Sequence, residues 1–124
     1  MSNLDSFVKI KGISKTFSTI NNSQYKTIDE FWEELIPKYG LENLIGIGFG
    51  WADSTIYYML TLKQGIIDGY NAEIELPKTG WKVKNGKTVN LSQIYDSIYK
   101  DGNLKYEVET FDRNGNCKIF YIRK

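Results

Sequence analysis

The sequence predicts an α+β fold in which a β-α-β-β unit occurs twice and contributes to one antiparallel sheet. One observation is the recurrence of an amphipathic helix pattern after 63 residues. Another is the arrangement around each pattern, with one strand-like segment before it and two after it. No Ser- or Gly-rich linker separates the units, and the stretch at 63–70 is too short for an inter-domain tether. We therefore expect a single domain over residues 1–124, with half-repeats at about 7–62 and 71–123.

The first unit is built around the segment TIDEFWEELIPKYG at 27–40. Its apolar residues recur at the spacing of one helix face: Ile28, Phe31, Trp32, Leu35, Ile36 and Tyr39. Thr27 and Glu30 form a capping-box pattern at the start of this helix, and Gly40 ends it. The flanking strand-like segments lie at 7–20, 44–51 and 55–62. Because Trp32 lies on the apolar stripe, we expect it in the core.

The second unit repeats this arrangement around NLSQIYDSIYKDG at 90–102. The same helical spacing connects Leu91, Ile94, Tyr95, Ile98 and Tyr99. Asn90 and Gln93 form the cap pattern, and strand-like segments lie at 71–84, 104–111 and 117–124. We expect Tyr95 and Tyr99 in the core. Both helices should cover one face of the sheet, and a ligand groove should follow the pseudo-two-fold seam on the other face.

Composition excludes several classes of site. The chain has no histidine and a single cysteine, Cys117, which rules out Ser-His-Asp and Cys-His catalysis, His-ligated zinc and an intrachain disulfide. The net charge of +1 gives no general attraction to nucleic acid or anionic membrane. No apolar run reaches 18 residues, and the N-terminus lacks a signal-peptide pattern. We expect a cytoplasmic protein without metal or cofactor that binds neither nucleic acid nor membrane.

Two local patterns are interpreted as structural. The segment GIGFG at 46–50 lacks the following helix and the GK[ST] of a phosphate loop, so its glycines should allow a ligand or a neighbouring element to approach closely. Four lysines surround Trp81 in the segment 78–87, and a solvated strand face explains them best at this net charge. Glu73 and Glu75 share one strand face, where an exposed edge is favoured over a paired-carboxylate site.

Several motifs follow one another along the chain in a characteristic order and spacing: VKIKGIS, IDEFWEEL, IGIG followed by YYML, IELPKTGWKV and YEVETF. By these motifs the sequence resembles the GyrI-like superfamily of small-molecule-binding domains, which includes AraC- and MerR-type effector-binding domains, gyrase-inhibitory proteins and free-standing integron-cassette versions. The resemblance extends from about Phe7 to Ile122. No helix-turn-helix precedes these motifs, so we do not expect the chain itself to be a DNA-binding regulator.

The resemblance implies a groove for hydrophobic, often cationic compounds, with a buried glutamate among aromatic rings. By motif position the glutamate is Glu109, and Trp81 falls where the family has a pocket aromatic. Strand alternation puts Glu107 and Phe111 on the face of Glu109, with Glu107 expected nearer the solvated rim. Phe111 stands where the family often has Tyr. The remaining candidate cage residues are Trp51, Phe49, Tyr57 and Tyr58, although Trp51 and Trp81 would fit packing beneath a helix almost equally well.

Three functions follow as hypotheses. The leading one is a stand-alone domain that binds hydrophobic or cationic small molecules, for sequestration or for sensing, with Glu109 as the charge anchor. The second is a small hydrolase of electrophilic compounds in the same groove, with Glu109 as the base. The third is a protein-interaction module that binds a regulator or gyrase, and a homodimer also fits the sequence. The Phe at position 111 favours binding over catalysis.

Overall fold

The computed structural model describes residues 7–124. This part of the chain contains seven strands and two α-helices: β1 Phe7–Ser18, α1 Gln24–Tyr39, β2 Leu44–Phe49, β3 Thr55–Leu62, β4 Ala72–Pro77, β5 Lys82–Lys87, α2 Leu91–Tyr99, β6 Leu104–Phe111 and β7 Asn116–Arg123. The predicted α+β class, with two helices and an antiparallel sheet, is confirmed. Neither of these helices is long and apolar enough to cross a membrane.

The seven strands form one curled sheet in the order β4-β1-β3-β2-β6-β7-β5, with antiparallel neighbours throughout. Strands β4 and β5 lie at opposite ends of this order, although only residues 78–81 connect them. From Pro77 to Lys82 an extended chain spans about 17 Å. Six flat strand spacings would cover about 29 Å. The sheet must therefore curl until its two edge strands approach each other.

The first helix begins earlier than its sequence pattern indicates. Helix α1 starts at Gln24, so Thr27 lies inside it, and the Thr27 hydroxyl donates to the Ser23 carbonyl at 3.2 Å. The predicted capping box at Thr27 is therefore wrong. Helix-compatible residues at 24–26 allow the helix to extend back by one turn. Its end at Tyr39, followed by Gly40 with φ of 85°, agrees with the sequence pattern.

The segment 71–84, expected as one strand, is divided into β4 and β5. Strand β4 pairs with the first half of β1, and β5 pairs with β7 at the other end of the sheet. The division follows Pro77, and Gly80 adopts a φ of +89° in the connection, which favours glycine. The segment 72–123 therefore contributes strands to both sides of the group formed by β1, β3 and β2.

The two faces of the sheet have different roles. On β6, Glu107, Glu109 and Phe111 point to the face that carries the helices, whereas Tyr106 and Val108 belong to a core cluster on the opposite face. That opposite cluster centres on Ile47, Met59 and Leu76. Because the inward and outward residues alternate, the helix face of β6 carries two carboxylates where a core strand would carry apolar groups.

Candidate functional site

A pocket of about 340 Å³ lies between the two helices and the sheet face beneath them. Helices α1 and α2 form its walls and β6 forms part of its floor. It is lined by Gln24, Tyr25, Ile28, Asp29, Trp51, Ile56, Tyr58, Leu91, Ser92, Tyr95, Asp96, Tyr99, Glu107 and Glu109. This pocket lies on the helix face of the sheet and not on the opposite face, where the groove was expected, because Glu107 and Glu109 of β6 point towards the helices.

Glu109 lies at the bottom of this pocket with 6% of its surface exposed. Its two carboxylate oxygens each accept a hydrogen bond from a buried phenol, Oε1 from Tyr58 and Oε2 from Tyr95. The Trp32 indole Nε1 in turn donates to the Tyr58 hydroxyl at 2.8 Å. Tyr58 can therefore direct its only proton to Glu109 while it accepts from Trp32. Hydrogen bonds from Tyr58 of β3 and Tyr95 of α2 thus hold Glu109 in place, and Trp32 of α1 supports Tyr58.

Glu107 is buried as deeply, with 5% of its surface exposed. The expectation that it lies at a solvated rim is wrong. The Tyr99 hydroxyl donates to its Oε2 at 2.9 Å, and its side chain lies over Gly48 of the neighbouring strand. Within residues 7–124 no hydrogen bond reaches its Oε1. Alternation on β6 already put Glu107 on the face of Glu109, and the helix above it excludes the water that would solvate it.

Two glycines of β2 make room for this arrangement. Gly46 pairs with Glu109 and Gly48 pairs with Glu107 across the β2–β6 seam. A Cβ at Gly46 would clash with the Tyr58 hydroxyl and would lie 2.7 Å from Trp32 Cζ2. A Cβ at Gly48 would lie 2.7 Å from Glu107 Oε1. The glycines in GIGFG therefore allow neighbouring side chains to approach the strand, as expected.

Burial dominates the ionisation of the site. Desolvation, strengthened by the nearby charge of Glu109, raises the pKa of Glu107 to about 8. Desolvation also raises the pKa of Glu109, although the hydrogen bonds from Tyr58 and Tyr95 oppose that rise. The pKa values of Tyr58 and Tyr95 are raised by burial and by the two carboxylates, so both phenols remain protonated donors.

The pocket is acidic as well as aromatic. Asp29 on α1 and Asp96 on α2 join the two glutamates in its lining, and no lysine or arginine of the described chain lines it. Burial raises the pKa of the Tyr25 phenol, and the charges of Glu107 and Asp96 raise it further. In the region 7–124 no group of three or more His, Cys, Asp or Glu side chains is arranged to hold a metal ion. The carboxylates therefore face the pocket without a cationic partner in its wall.

Three of the candidate site residues line this pocket together: Glu109, Tyr58 and Trp51. Phe111 lies on the same face but outside the lining, with its ring 5.2 Å edge-on from that of Trp32. The hydroxyl that Phe111 lacks is supplied to Glu109 from other positions.

The other candidates lie on the opposite face of the sheet. Phe49 and Tyr57 stack there with ring centroids 5.6 Å apart. The Trp81 ring packs near that of Tyr106, with ring centroids 6.3 Å apart, and the Trp81 indole Nε1 donates to the Pro77 carbonyl at 2.7 Å. The register explains the difference, because Phe49 pairs with Tyr106 and not with Glu109. The expected position of these three rings beside Glu109 is therefore wrong.

Helix tyrosines were missed as site residues. Tyr95 and Tyr99 lie on the apolar stripe of α2 and were expected in the core, yet their hydroxyls reach the two glutamates. Trp32 is in the core as expected, and it also supports Tyr58. The available signal was chemical, because a buried Tyr or Trp needs a hydrogen-bond partner for its polar tip. Glu73 and Glu75, in contrast, are exposed on β4.

Sequence comparison finds no matching protein-family model and no matching curated protein. Structural comparison finds SAV2435 bound to tetraphenylphosphonium, with a TM-score of 0.68 and 15% identity over 96% of this chain and 90% of that one. It also finds a candidate bacterial transcription regulation protein from Staphylococcus aureus MU50, with a TM-score of 0.67 and 14% identity over 96% and 94%. At such identities the similarity establishes a shared fold.

Proposed function

We propose that this protein binds hydrophobic organic cations in the pocket between α1 and α2. The observation that carries the proposal is the presence of two buried carboxylates, Glu107 and Glu109, in an aromatic pocket whose described lining has no basic side chain. A buried carboxylate is costly without a partner of opposite charge. A ligand cation can supply that partner.

The aromatic part of the lining suits a poorly hydrated cation. Trp51, Tyr25 and Tyr99 offer ring surfaces, and Ile28, Ile56 and Leu91 add apolar surface. A cation over an aromatic face gains about 0.5–2 kcal/mol in such surroundings. The cavity volume is within the range of about 300–1,000 Å³ typical of small-molecule sites. The tetraphenylphosphonium bound to SAV2435, a protein of the same fold, is itself a hydrophobic cation.

The anchor is best described as a pair. Both oxygens of Glu109 are held by phenols, which stabilise its charge and fix its position. Glu107 has one phenol donor and retains capacity to accept from a ligand. In this proposal Glu109 supplies the more stable negative charge, and Trp51 and Tyr58 contribute to the aromatic cage. Sequestration and effector sensing would use the same contacts.

Calorimetric titration with two ions of the same shape tests this proposal. Tetraphenylphosphonium and tetraphenylborate differ in the sign of their charge, so we expect saturable binding of the cation and none of the anion. Glu109→Gln should weaken cation binding by about tenfold or more. Glu75→Gln, which removes an exposed carboxylate on β4, should leave the affinity unchanged. Equal binding of both ions, or of the cation to wild type and Glu109→Gln, would contradict the proposal.

A hydrolase is the second candidate, and one observation favours it. Glu109 is held by two tyrosines, and a buried carboxylate with a raised pKa is suited to accept a proton from water near neutral pH. Incubation of the protein with a panel of epoxides and activated esters, followed by chromatography of the products, separates the two functions. Turnover that Glu109→Gln abolishes would establish catalysis, and its absence across the panel would leave binding.

A further inference from the structure

We propose that the pocket is built for ligands with two positive charges, such as flat aromatic dications, with Glu107 and Glu109 as two separate anchors. This inference rests on the proposed function and makes its ligand class more specific. The pocket has two buried carboxylates, whereas one buried acid is enough to hold a monocation.

The two glutamates are held independently of each other. Tyr58 and Tyr95 donate to Glu109, whereas Tyr99 donates to Glu107. As residues i and i+2 on one face of a strand, their positions are about 7 Å apart. The phenols therefore keep two acidic groups at a defined separation and prevent them from converging on one point.

The surroundings do not neutralise this pair. The described lining contains no lysine or arginine, and Asp29 and Asp96 add a carboxylate from each helix. Repulsion between Glu107 and Glu109 contributes to the raised pKa of Glu107. Because the pKa of Glu107 is raised to about 8, this carboxyl is largely protonated in the free protein at neutral pH, and a monocation beside Glu109 leaves it so. A second positive charge on the ligand would compensate the second glutamate and would favour ionisation of both.

The geometry also accounts for the aromatic part of the ligand. Tyr95 and Tyr99, which both line the pocket, are nearly parallel, with ring centroids 5.7 Å apart at 18°. Trp51 contributes another ring to the lining. A planar ring system can pack against the aromatic lining while its charged groups reach Glu107 and Glu109.

Ethidium and propidium provide a matched pair of probes. They share the phenanthridinium ring system, and propidium carries a second, quaternary ammonium charge on a short arm. We expect protein free of nucleic acid to bind propidium about tenfold more tightly than ethidium at low ionic strength. Fluorescence titration of each dye measures the two dissociation constants directly.

The variants assign the second charge to its anchor. Glu107→Gln should reduce the preference for propidium over ethidium to less than about threefold, because the second of the two anchors is lost. Glu75→Gln removes the same charge from the exposed face of β4 and should keep the full preference. Near-ultraviolet circular dichroism verifies that the variants are folded. The ratio of the two dissociation constants of the wild-type protein tests the preference without any variant.

The outcomes separate this inference from the proposed function. If wild type binds both dyes within twofold of each other, or if Glu107→Gln retains the full preference, the two-charge inference is overturned while cation binding stands. If neither ethidium, propidium nor tetraphenylphosphonium binds, the proposed function fails with it. A propidium preference that disappears in Glu107→Gln and persists in Glu75→Gln supports the inference.

Discussion

At the scale of single residues, the hydrogen-bond chain from Trp32 through Tyr58 to Glu109 makes Tyr58 different from the other phenols of the site. Its hydroxyl is both donor and acceptor between two buried partners, with 1% of the residue exposed. Tyr95 donates to the same carboxylate, but no group within residues 7–124 donates a hydrogen bond to the Tyr95 hydroxyl. Removal of the two hydroxyls should therefore have unequal consequences.

Tyr58→Phe should destabilise the protein more than Tyr95→Phe. The first substitution leaves both the Trp32 indole N–H and Glu109 Oε1 without a partner, and each unsatisfied buried group costs about 1–3 kcal/mol. The second leaves only Glu109 Oε2. Urea unfolding followed by tryptophan fluorescence measures both free energies. Equal losses in the two variants would show that the Trp32–Tyr58 hydrogen bond adds nothing to stability.

At the scale of secondary-structure elements, the site depends on the close approach of β2 and β6. Glycine at positions 46 and 48 leaves the space that Tyr58, Trp32 and Glu107 occupy. The backbone of β2 at these positions is therefore covered by side chains from β3, α1 and β6. A methyl group added at either glycine would displace a residue of the site.

Gly46→Ala should lower the free energy of unfolding by about 1–3 kcal/mol, because the added Cβ meets Tyr58 and Trp32 in a packed interior. Gly86→Ala on β5 is the matched control. Its Cβ would contact only the flexible end of Ile94, with Cδ1 at 2.7 Å, and we expect a change below about 1 kcal/mol. Chemical denaturation compares the two. If both variants lose the same amount, close packing at the seam is not the cause.

Several of the secondary-structure elements could be predicted from the sequence. The strands 55–62 and 104–111 have the predicted bounds, because alternation and turn residues are local signals. The face of the groove and the partner of Phe49 could not be predicted, since both depend on how the strands pair in register. The burial of Glu107 was also inaccessible, because it is set by the helix packed above it and not by its neighbours along β6.

At the scale of the whole molecule, strands from both halves of the sequence are neighbours in one sheet. The strands β1, β3 and β2 of the first half lie between β4 and β6, both from the second half. The residues around Glu109 likewise come from α1, β3, α2 and β6. We therefore propose that residues 7–124 unfold as one cooperative unit. The free energy of unfolding should then depend on the protonation of the buried glutamates.

The free energy of unfolding should fall as the pH rises from about 4.5 towards about 8. In that interval Glu107 is deprotonated in the unfolded chain and still protonated in the folded one, so the folded state binds more protons. Glu107→Gln should flatten this dependence and stabilise the free protein at pH 8 by at least about 2 kcal/mol. Urea denaturation at several pH values provides the measurement. Glu75→Gln serves as the charge control, and a stability that rises from pH 5 to pH 8 would contradict the expectation.

The register pair Gly46–Glu109 has a consequence for the origin of such a site. The helices are related by a shift of 63 residues, and the same shift carries position 46 onto position 109, its direct partner across the seam. In a dimer of identical chains the local two-fold axis would pass between two copies of the same residue, either two glycines or two facing acids. A single chain with two diverged halves can place glycine on one side of the axis and glutamate on the other. Two different halves in one chain can thus provide a single unpaired acid beside the axis, which a symmetric homodimer of one half cannot have.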